Sequence, residues 1–451
     1  MIISQAKVNC KTFFEIRGEK MLAVLNEKFF GTLLPIVISG AGIYFLIRLR
    51  FFLFAHPIKT FKTLLGEKRG RGEAFRAACV ALSGTLGVGN IAGVASAIAV
   101  GGAGAIFWMW IFGLFAMAVK YVEVVTAMLY KSKEAGGAAY YIEKGLRSKG
   151  LGRIVAVIIL ASSFFVGNMT QSSAAGEAML SSFGLSKWIT GTVIALVTYF
   201  CIKGGIERVT RFSSVVIPLL SLGYLILSSA IIVEYRALLP EVLNAILSDA
   251  FSPEALLGGG GGFALGRAIR YGASRGLLSN EAGCGTSGYA HASSRNTPVT
   301  QGLWGVFEVF VDTELLCTLT ALTVLLVSPQ TLSGDNGMMI AIDSYGVAVY
   351  GGEFVALSSA LFALASIVCW SYYGEENLKY LEAKKNSRRL YLFGYCFTAV
   401  VGAVMKQTVV WELSDIGIAV LAVINTLCLV RLSPHAIKIT REYFDGFRKR
   451  R

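Results

Sequence analysis

The chain has 451 residues, of which 55% are hydrophobic and 16% are charged, and its mean hydropathy is +0.62. Soluble domains carry roughly 25% charged residues, so this composition argues against a soluble protein. The net charge of +14 would suit a nucleic-acid partner, but the basic residues lie between apolar runs, and none is expected. Eight cysteines without a CxxC pair predict neither disulfides nor a metal centre.

Apolar runs of membrane-spanning length recur along the chain and predict an all-α integral membrane protein with eleven transmembrane helices. The predicted spans are residues 30–54, 77–100, 105–130, 154–182, 186–202, 212–233, 260–286, 300–327, 354–374, 390–405 and 408–430. Connections on one side of this arrangement hold 28 Lys and Arg residues, and those on the other side hold 3. Because basic residues stay cytoplasmic, a multi-pass cell-membrane protein with its amino terminus outside and its carboxyl terminus inside is predicted.

Apart from the first span, the spans divide into two groups of five with opposite orientation. The predicted organisation is an extracytoplasmic segment (1–29), an extra helix (30–54), a first inverted repeat (77–233), an outer loop (234–259), a second inverted repeat (260–430) and a basic cytoplasmic tail (431–451).

The first span of the first repeat contains "SGTLGVGNIAGV", from Ser83 to Val94, with four glycines within ten residues. Each glycine disfavours a helix by roughly 1 kcal/mol relative to alanine, which predicts a broken helix. An unwound segment offers carbonyls to cations and amides to anions. Tight helix packing on small residues is the alternative, but Thr85 and Asn90 add polar groups that packing does not need.

The first span of the second repeat, residues 260–286, is also interrupted by glycines and carries Arg275 and Glu281. Arginines here contact substrate, sit at helix ends, or pair with acids such as Glu281, Glu308 or Asp312. Two broken spans at matching positions of inverted halves predict a secondary transporter. Gln171 in the fourth span either contacts a ligand or bonds between helices, and Trp370 either walls a pocket or packs in the core.

Several segments resemble the alanine or glycine:cation symporter family in order and spacing across residues 30–430. They are "SGTLGVGNIAGV", "GGAAYYIEKGL", "GNMTQSS", "GGIERVTRFSSVVIP", "ASRGLLSNEAGCGTSGYAHASSRNTPVTQGLWGVFEVFVDT" and "WSYYGEEN". The resemblance implies a leucine-transporter-like fold with one helix in front of five plus five. It also implies sodium-coupled uptake of alanine or glycine by alternating access, with Na⁺ as coupling ion and no other cofactor or metal. The expected partners are the amino acid and membrane lipid, the expected state is a monomer, and no enzyme activity is expected.

The family pattern, carried over residue by residue, implies two sets of site residues. The substrate set is Gly84, Thr85, Gly87, Val88, Gly89, Gln171, Gly272, Gly276 and Trp370, with a second break around Gly272 to Gly276. The cation set is Ser83, Leu86, Asn90 and Ser366. Asp312 joins it on a separate ground, because Glu308 and Asp312 lie four residues apart on one face near mid-span and either help hold a cation or balance the arginines. Val88 and Ala365 depart from the family pattern, in which hydroxyl residues are frequent at these positions, so substrate preference or sodium dependence is open.

Three alternatives remain. The first is a transporter of another small amino acid or one driven by protons. The second is a membrane enzyme, for which no convergent catalytic set is found, since all three histidines lie near membrane ends or outside the spans. The third is a channel, for which no pore-lining repeat is evident.

Overall fold

The computed structural model describes residues 28–52, 64, 71–132, 135–252, 266–328 and 336–448. The predicted segment 1–29, the glycine run at 258–262 and the end of the tail lie largely or wholly outside these residues. The α-helices of the described part are α1 Leu34–Arg48, α2 Arg71–Thr85, α3 Ala92–Gly101, α4 Gly104–Tyr130, α5 Ala138–Leu146, α6 Lys149–Phe164, α7 Thr170–Phe183, α8 Lys187–Lys203, α9 Gly205–Glu234, α10 Leu239–Ala250, α11 Arg267–Asn280, α12 Ser287–Ala292, α13 Pro298–Val309, α14 Thr318–Val327, α15 Gly337–Tyr345, α16 Gly351–Tyr380, α17 Lys385–Val404 and α18 Gln407–Arg448.

Helices occur in all of the predicted spans, and the protein is all-helical in the residues described. Seven helical stretches there are long and apolar enough to cross a membrane: α1, α4, α6 with α7, α9, α13 with α14, α16 and α18. The pair α2 and α3, bent by 63°, is an eighth. Helices α8, α11 and α17 are too short or too polar to qualify, so the total of eleven spans and the inverted repeat stay predictions. Helix α18 continues into the predicted tail as far as Arg448.

Helix α4 lies at the centre of the packing, against α1, α11 and α13, while α16 packs against α6, α7 and α9. The predicted outer loop contains α10, which caps α4. The Asp249 carboxylate accepts a hydrogen bond of 2.7 Å from the Gly104 amide, and the Trp108 indole donates to the Ala250 carbonyl at 3.0 Å. A carboxylate at a helix N-terminus satisfies a free amide and opposes the helix dipole.

Two segments of π-helix interrupt the long spans, at Phe165–Met169 between α6 and α7 and at Phe310–Cys317 between α13 and α14. Such segments in α-helices frequently accompany functional sites. The first directly precedes the turn that carries Gln171, and the second contains Asp312.

The first predicted break is present and lies within the glycine-rich segment 84–93. Helix α2 ends at Thr85, a short 3₁₀ turn covers Val88–Asn90, and α3 begins at Ala92.

The predicted break around Gly272 to Gly276 is wrong, because α11 runs through both glycines. These glycines permit close packing on α4: a Cβ atom at Gly272 would lie 2.1 Å from the Ala105 carbonyl oxygen. The chain instead leaves the helix after Asn280, where Gly283 (φ +84°) and Gly285 (φ +81°) adopt left-handed conformations that favour glycine.

Candidate transport site

A small enclosed cavity of about 20 Å³ lies beside the first break. Four of the predicted substrate residues line it, namely Thr85, Val88, Gly89 and Gln171. The remaining lining residues are Val166, Thr170, Leu278, Glu281, Trp411 and Ser414. The cavity has room for about one water molecule, so the surrounding helices are closed over it.

Side chains hold two backbone amides at the first break, and the contact between Val88 and Gln171 lies at this cavity. The Val88 amide donates to Gln171 Oε1 at 3.1 Å, and the Gly87 amide donates to Asn90 Oδ1 at 3.2 Å. A Cβ atom on Gly87 would lie 2.5 Å from Gln171 Oε1, so glycine is needed for the Gln171 amide to reach the turn. These amides carry partial positive charge at the start of a half-helix, which suits an anionic group.

Asp312 forms a buried polar cluster with the first break. The Asn90 amide nitrogen donates to Asp312 Oδ1 at 3.0 Å and to its backbone carbonyl at 3.1 Å, and Ser279 also donates to Oδ1. The Thr320 hydroxyl donates to the Asn90 carbonyl at 2.8 Å. Asp312 is fully buried, yet its Oδ2 atom has no hydrogen-bond partner in the part of the chain that the structure describes. An orphaned carboxylate oxygen at this depth is a natural ligand for a cation.

Ser83 and Ser366 form a separate clamp between α2 and α16. Ser83 donates to the Ala365 carbonyl at 2.8 Å, and Ser366 donates to the Gly84 carbonyl at 3.0 Å. The predicted cation residues thus fall into two groups, one at this clamp and one at Asp312. Leu86 is buried in the unwound segment after α2 and has only its carbonyl to offer.

Other predicted substrate residues lie behind the cavity wall. Gly84 packs against Tyr373, whose hydroxyl would be 2.9 Å from an added Cβ atom. Gly272 and Gly276 face α4, as described above. Trp370 is fully buried, and its indole nitrogen donates to Glu281 Oε1 at 3.1 Å, so it supports a lining residue instead of lining the cavity.

Trp411 was missed by sequence reasoning and separates the small cavity from a larger one. The larger cavity, here called the vestibule, has a volume of about 410 Å³ and is lined by Ala92, Ser96, Tyr271, Arg275, Gly337, Gln407, Thr408, Trp411, Glu412 and Asp415. Trp411 lines both cavities. Its position five residues into α18 carries no local signal of this role.

Arg275 closes the floor of the vestibule together with Trp411. Its guanidinium pairs with Asp415 at 3.0 Å and lies 5.0 Å from the centre of the Trp411 ring. The ion pair predicted with Glu281, Glu308 or Asp312 is not the one formed. Both charged side chains are nearly buried, so the ion pair and the cation–π contact keep Arg275 and Trp411 fixed between the vestibule and the small cavity.

Comparison with known proteins places the chain among transporters. It is 33% identical to the amino-acid carrier protein AlsT of Bacillus subtilis, over 92% of this chain and 93% of that protein. It is 32% identical to the sodium/alanine symporter AgcS of Methanococcus maripaludis, over 95% of this chain and 98% of that protein. The structure of a Na⁺-coupled sialic acid symporter matches with a TM-score of 0.55 at 13% identity, over 83% of this chain and 82% of that one. This likeness identifies the leucine-transporter type of fold.

A sequence profile described as the sodium:alanine symporter family matches residues 15–451. The resemblance seen in the motifs is therefore confirmed, and the expected class of transporter rather than enzyme with it. The chain is a multi-pass membrane protein that belongs to the sodium:alanine symporter family.

Proposed function

We propose that this protein couples the inward movement of Na⁺ to uptake of a small neutral amino acid, alanine or glycine, by alternating access. The observation that carries the proposal is the broken helix between Thr85 and Ala92, whose amides reach the closed cavity while its other face contacts Asp312. Broken helices of this kind bind anionic substrate groups at their amides and ions at their carbonyls.

The substrate carboxylate docks on the Val88 amide, which lies at the closed cavity. In the closed cavity the Gln171 side chain accepts the Val88 amide, so it moves aside or turns its NH₂ group toward the carboxylate when substrate enters. The close approach of Gly87 to Gln171, where a Cβ atom would be 2.5 Å from Oε1, limits the space for a substrate side chain. A substrate with no side chain or a methyl group suits this space.

Sodium binds at the first break. Asp312 supplies a formal charge through its unpartnered Oδ2, beside Asn90. The clamp of Ser83 and Ser366 brings hydroxyls and carbonyls of α2 and α16 together, which is the oxygen chemistry that a hard cation prefers. Ion binding at either group of residues holds the two parts of the broken helix together, and the backbone N–H that binds the substrate then takes up its final position. A potential of 100 mV supplies about 2.3 kcal/mol per charge, or about fiftyfold accumulation per co-transported ion.

The vestibule lies on the outer side when the amino terminus is extracytoplasmic. Separation of Arg275 from Asp415, with rotation of Trp411, opens the cavity to that side. The opposite movement, at the second break and α12, opens it to the cytoplasm.

Reconstituted vesicles test the proposal. Uptake of labelled alanine or glycine is expected to rise with an inward sodium gradient, and a panel of competing L- and D-amino acids identifies the substrate. Uptake of neither amino acid, with or without sodium, would contradict the proposal. Uptake driven equally well by a pH gradient without sodium would instead identify a proton-coupled transporter.

Asp312→Asn tests the ion site, with Glu314→Gln as a matched control on the same helix. Both substitutions remove one carboxylate, but only Asp312 contacts Asn90. Asp312→Asn is expected to raise the sodium concentration for half-maximal uptake at least about tenfold, since it removes the charge from a buried ion site. Equal effects of the two substitutions would place the ion elsewhere.

A further inference from the structure

A second buried charge cluster lies on the far side of the cavity from the vestibule, and Glu281 is the member of it that also lines the cavity. Lys120 of α4 donates to Glu308 Oε1 at 3.1 Å and to the Ser287 hydroxyl at 2.6 Å. His291 of α12 bonds Glu308 Oε2 at 3.0 Å through Nε2. Lys120, Glu308 and His291 are fully buried, and Glu123 lies one turn along α4 from Lys120.

The charges of this cluster do not balance. Three buried carboxyl groups, Glu123, Glu281 and Glu308, share one lysine. Lys120 is hydrogen-bonded to Glu308, so the positive charge of Lys120 offsets the negative charge of Glu308. Even a protonated His291 would leave one negative charge in excess. An uncompensated charge at bilayer depth is strongly unfavourable, so at least one of these carboxyl groups binds a proton or another cation.

Glu123 differs from Glu281 and Glu308 in having a carboxyl oxygen without a hydrogen-bond partner among the described residues. Glu281 accepts hydrogen bonds at both oxygens, from Trp370 and Thr286. Glu123 accepts one at Oε2, from the Gly283 amide at 2.9 Å, whereas no described residue donates a hydrogen bond to its Oε1.

The ionisable groups around Glu123 come from several elements. They are Lys120 on α4, Glu281 and Cys284 at the second break, Glu308 on α13 and Tyr141 on α5. Lys120 is the cation among them, and Glu308 already engages it.

Glu123 also holds the second break in its closed form. Gly283 and Gly285 have positive φ angles, and both amides face the Glu123 carboxyl group. The Asn425 side chain donates to the Gly283 carbonyl at 2.6 Å, and the Tyr141 hydroxyl donates to Asn425. The same carboxyl group therefore contacts the segment that has to rearrange when the inner half opens.

We propose that Glu123 is a proton-binding site, occupied while the second break is closed and vacated when cytoplasmic water reaches it. Reclosing the inner half then requires a proton from the cytoplasm, so cytoplasmic pH regulates turnover. The sidedness of this regulation rests on the proposed transport cycle and orientation. The proton returns to the compartment it came from, so no net proton transport accompanies the cycle.

Transport with controlled internal pH tests the regulation. In oriented vesicles with a fixed sodium gradient, wild-type uptake is expected to fall, by up to about tenfold per pH unit, once the internal pH exceeds the titration point of Glu123. Glu123→Gln mimics the protonated form, so its uptake is expected to persist at high internal pH. Glu143→Gln, which removes a carboxylate from α5 at the same end of the molecule, is expected to behave as wild type.

An infrared difference spectrum between acid and alkaline pH tests proton binding without transport. Wild-type protein and Glu143→Gln are expected to show a carboxylic-acid carbonyl band that Glu123→Gln lacks. An unchanged band in Glu123→Gln would overturn the proposal. Wild-type uptake that is independent of internal pH would also overturn it, and this measurement does not depend on the folding of a variant. Absence of any uptake would refute the transport function, while the infrared result would still decide on Glu123.

Discussion

Substitution of Gly87 by alanine separates a local hydrogen-bond effect from a general loss of helix packing. Gly87 has φ −140° and ψ −154°, an extended conformation that alanine adopts without strain. The added Cβ atom would lie 2.5 Å from Gln171 Oε1 and 2.9 Å from its Nε2. The Gln171 amide is the end of a flexible chain and can turn away, but it then no longer accepts the Val88 amide.

The energetic cost is therefore that of an unsatisfied buried amide rather than of a steric clash. Leaving one buried donor without a partner costs about 1–3 kcal/mol. The Val88 amide stays free for the substrate carboxylate, so the loss of affinity comes from the displaced Gln171 side chain, which enters the substrate's place. A competition cost of about 1–2 kcal/mol lowers the apparent affinity about five- to thirtyfold. The expected result is a raised KM for sodium-driven uptake, with a smaller change in kcat.

Gly93→Ala is the matched control in the same broken helix. Its Cβ atom would come no closer than 3.8 Å to Trp411, an ordinary van der Waals contact. Uptake kinetics and thermal unfolding in detergent should be measured for both variants. An unchanged KM in Gly87→Ala, or an equal rise in Gly93→Ala, would refute the assignment of Gly87 to the contact with Gln171.

Two further predictions concern the clamp and the vestibule. Ser366→Ala is expected to raise the sodium concentration for half-maximal uptake severalfold, because it removes the hydroxyl that holds α2. Ser371→Ala on the same helix is expected to leave that concentration unchanged. Titration of uptake with sodium measures both variants. Arg275→Gln and Asp415→Asn are each expected to lower uptake, with a coupling energy of about 1–3 kcal/mol in a double-mutant cycle, and additive effects would show that the pair does not act as one barrier.

Glycine density predicted the first break correctly but misplaced the second. At 84–93 the glycines free backbone groups from a helix, as the sequence pattern suggested. Gly272 and Gly276 instead allow α11 to approach α4, and they remain helical. Packing and unwinding both select glycine, and only the positive φ angles of Gly283 and Gly285 distinguish the true break.

Pairings between distant helices were beyond the reach of sequence patterns. Lys120 and Glu308 are 188 residues apart, and Arg275 and Asp415 are 140 apart. Several basic residues could have paired with each acidic residue, so the composition of the sequence did not identify the partner. A ligand contact of Gln171 was one of two alternatives that the sequence left open, but nothing in the sequence showed that Trp411 of the last helix lines the same cavity.

The π-helical segments have a consequence for how this chain can change in length. One residue of an α-helix turns the side chains that follow by about 100°. A single-residue deletion within Phe165–Met169 would remove the extra residue of the wider turn and restore regular winding, so Gln171 would keep its direction toward the Val88 amide. The same holds for Phe310–Cys317 and the residues after it. A single-residue deletion is therefore better tolerated at these two places than elsewhere in the same helices, where it would turn every following side chain.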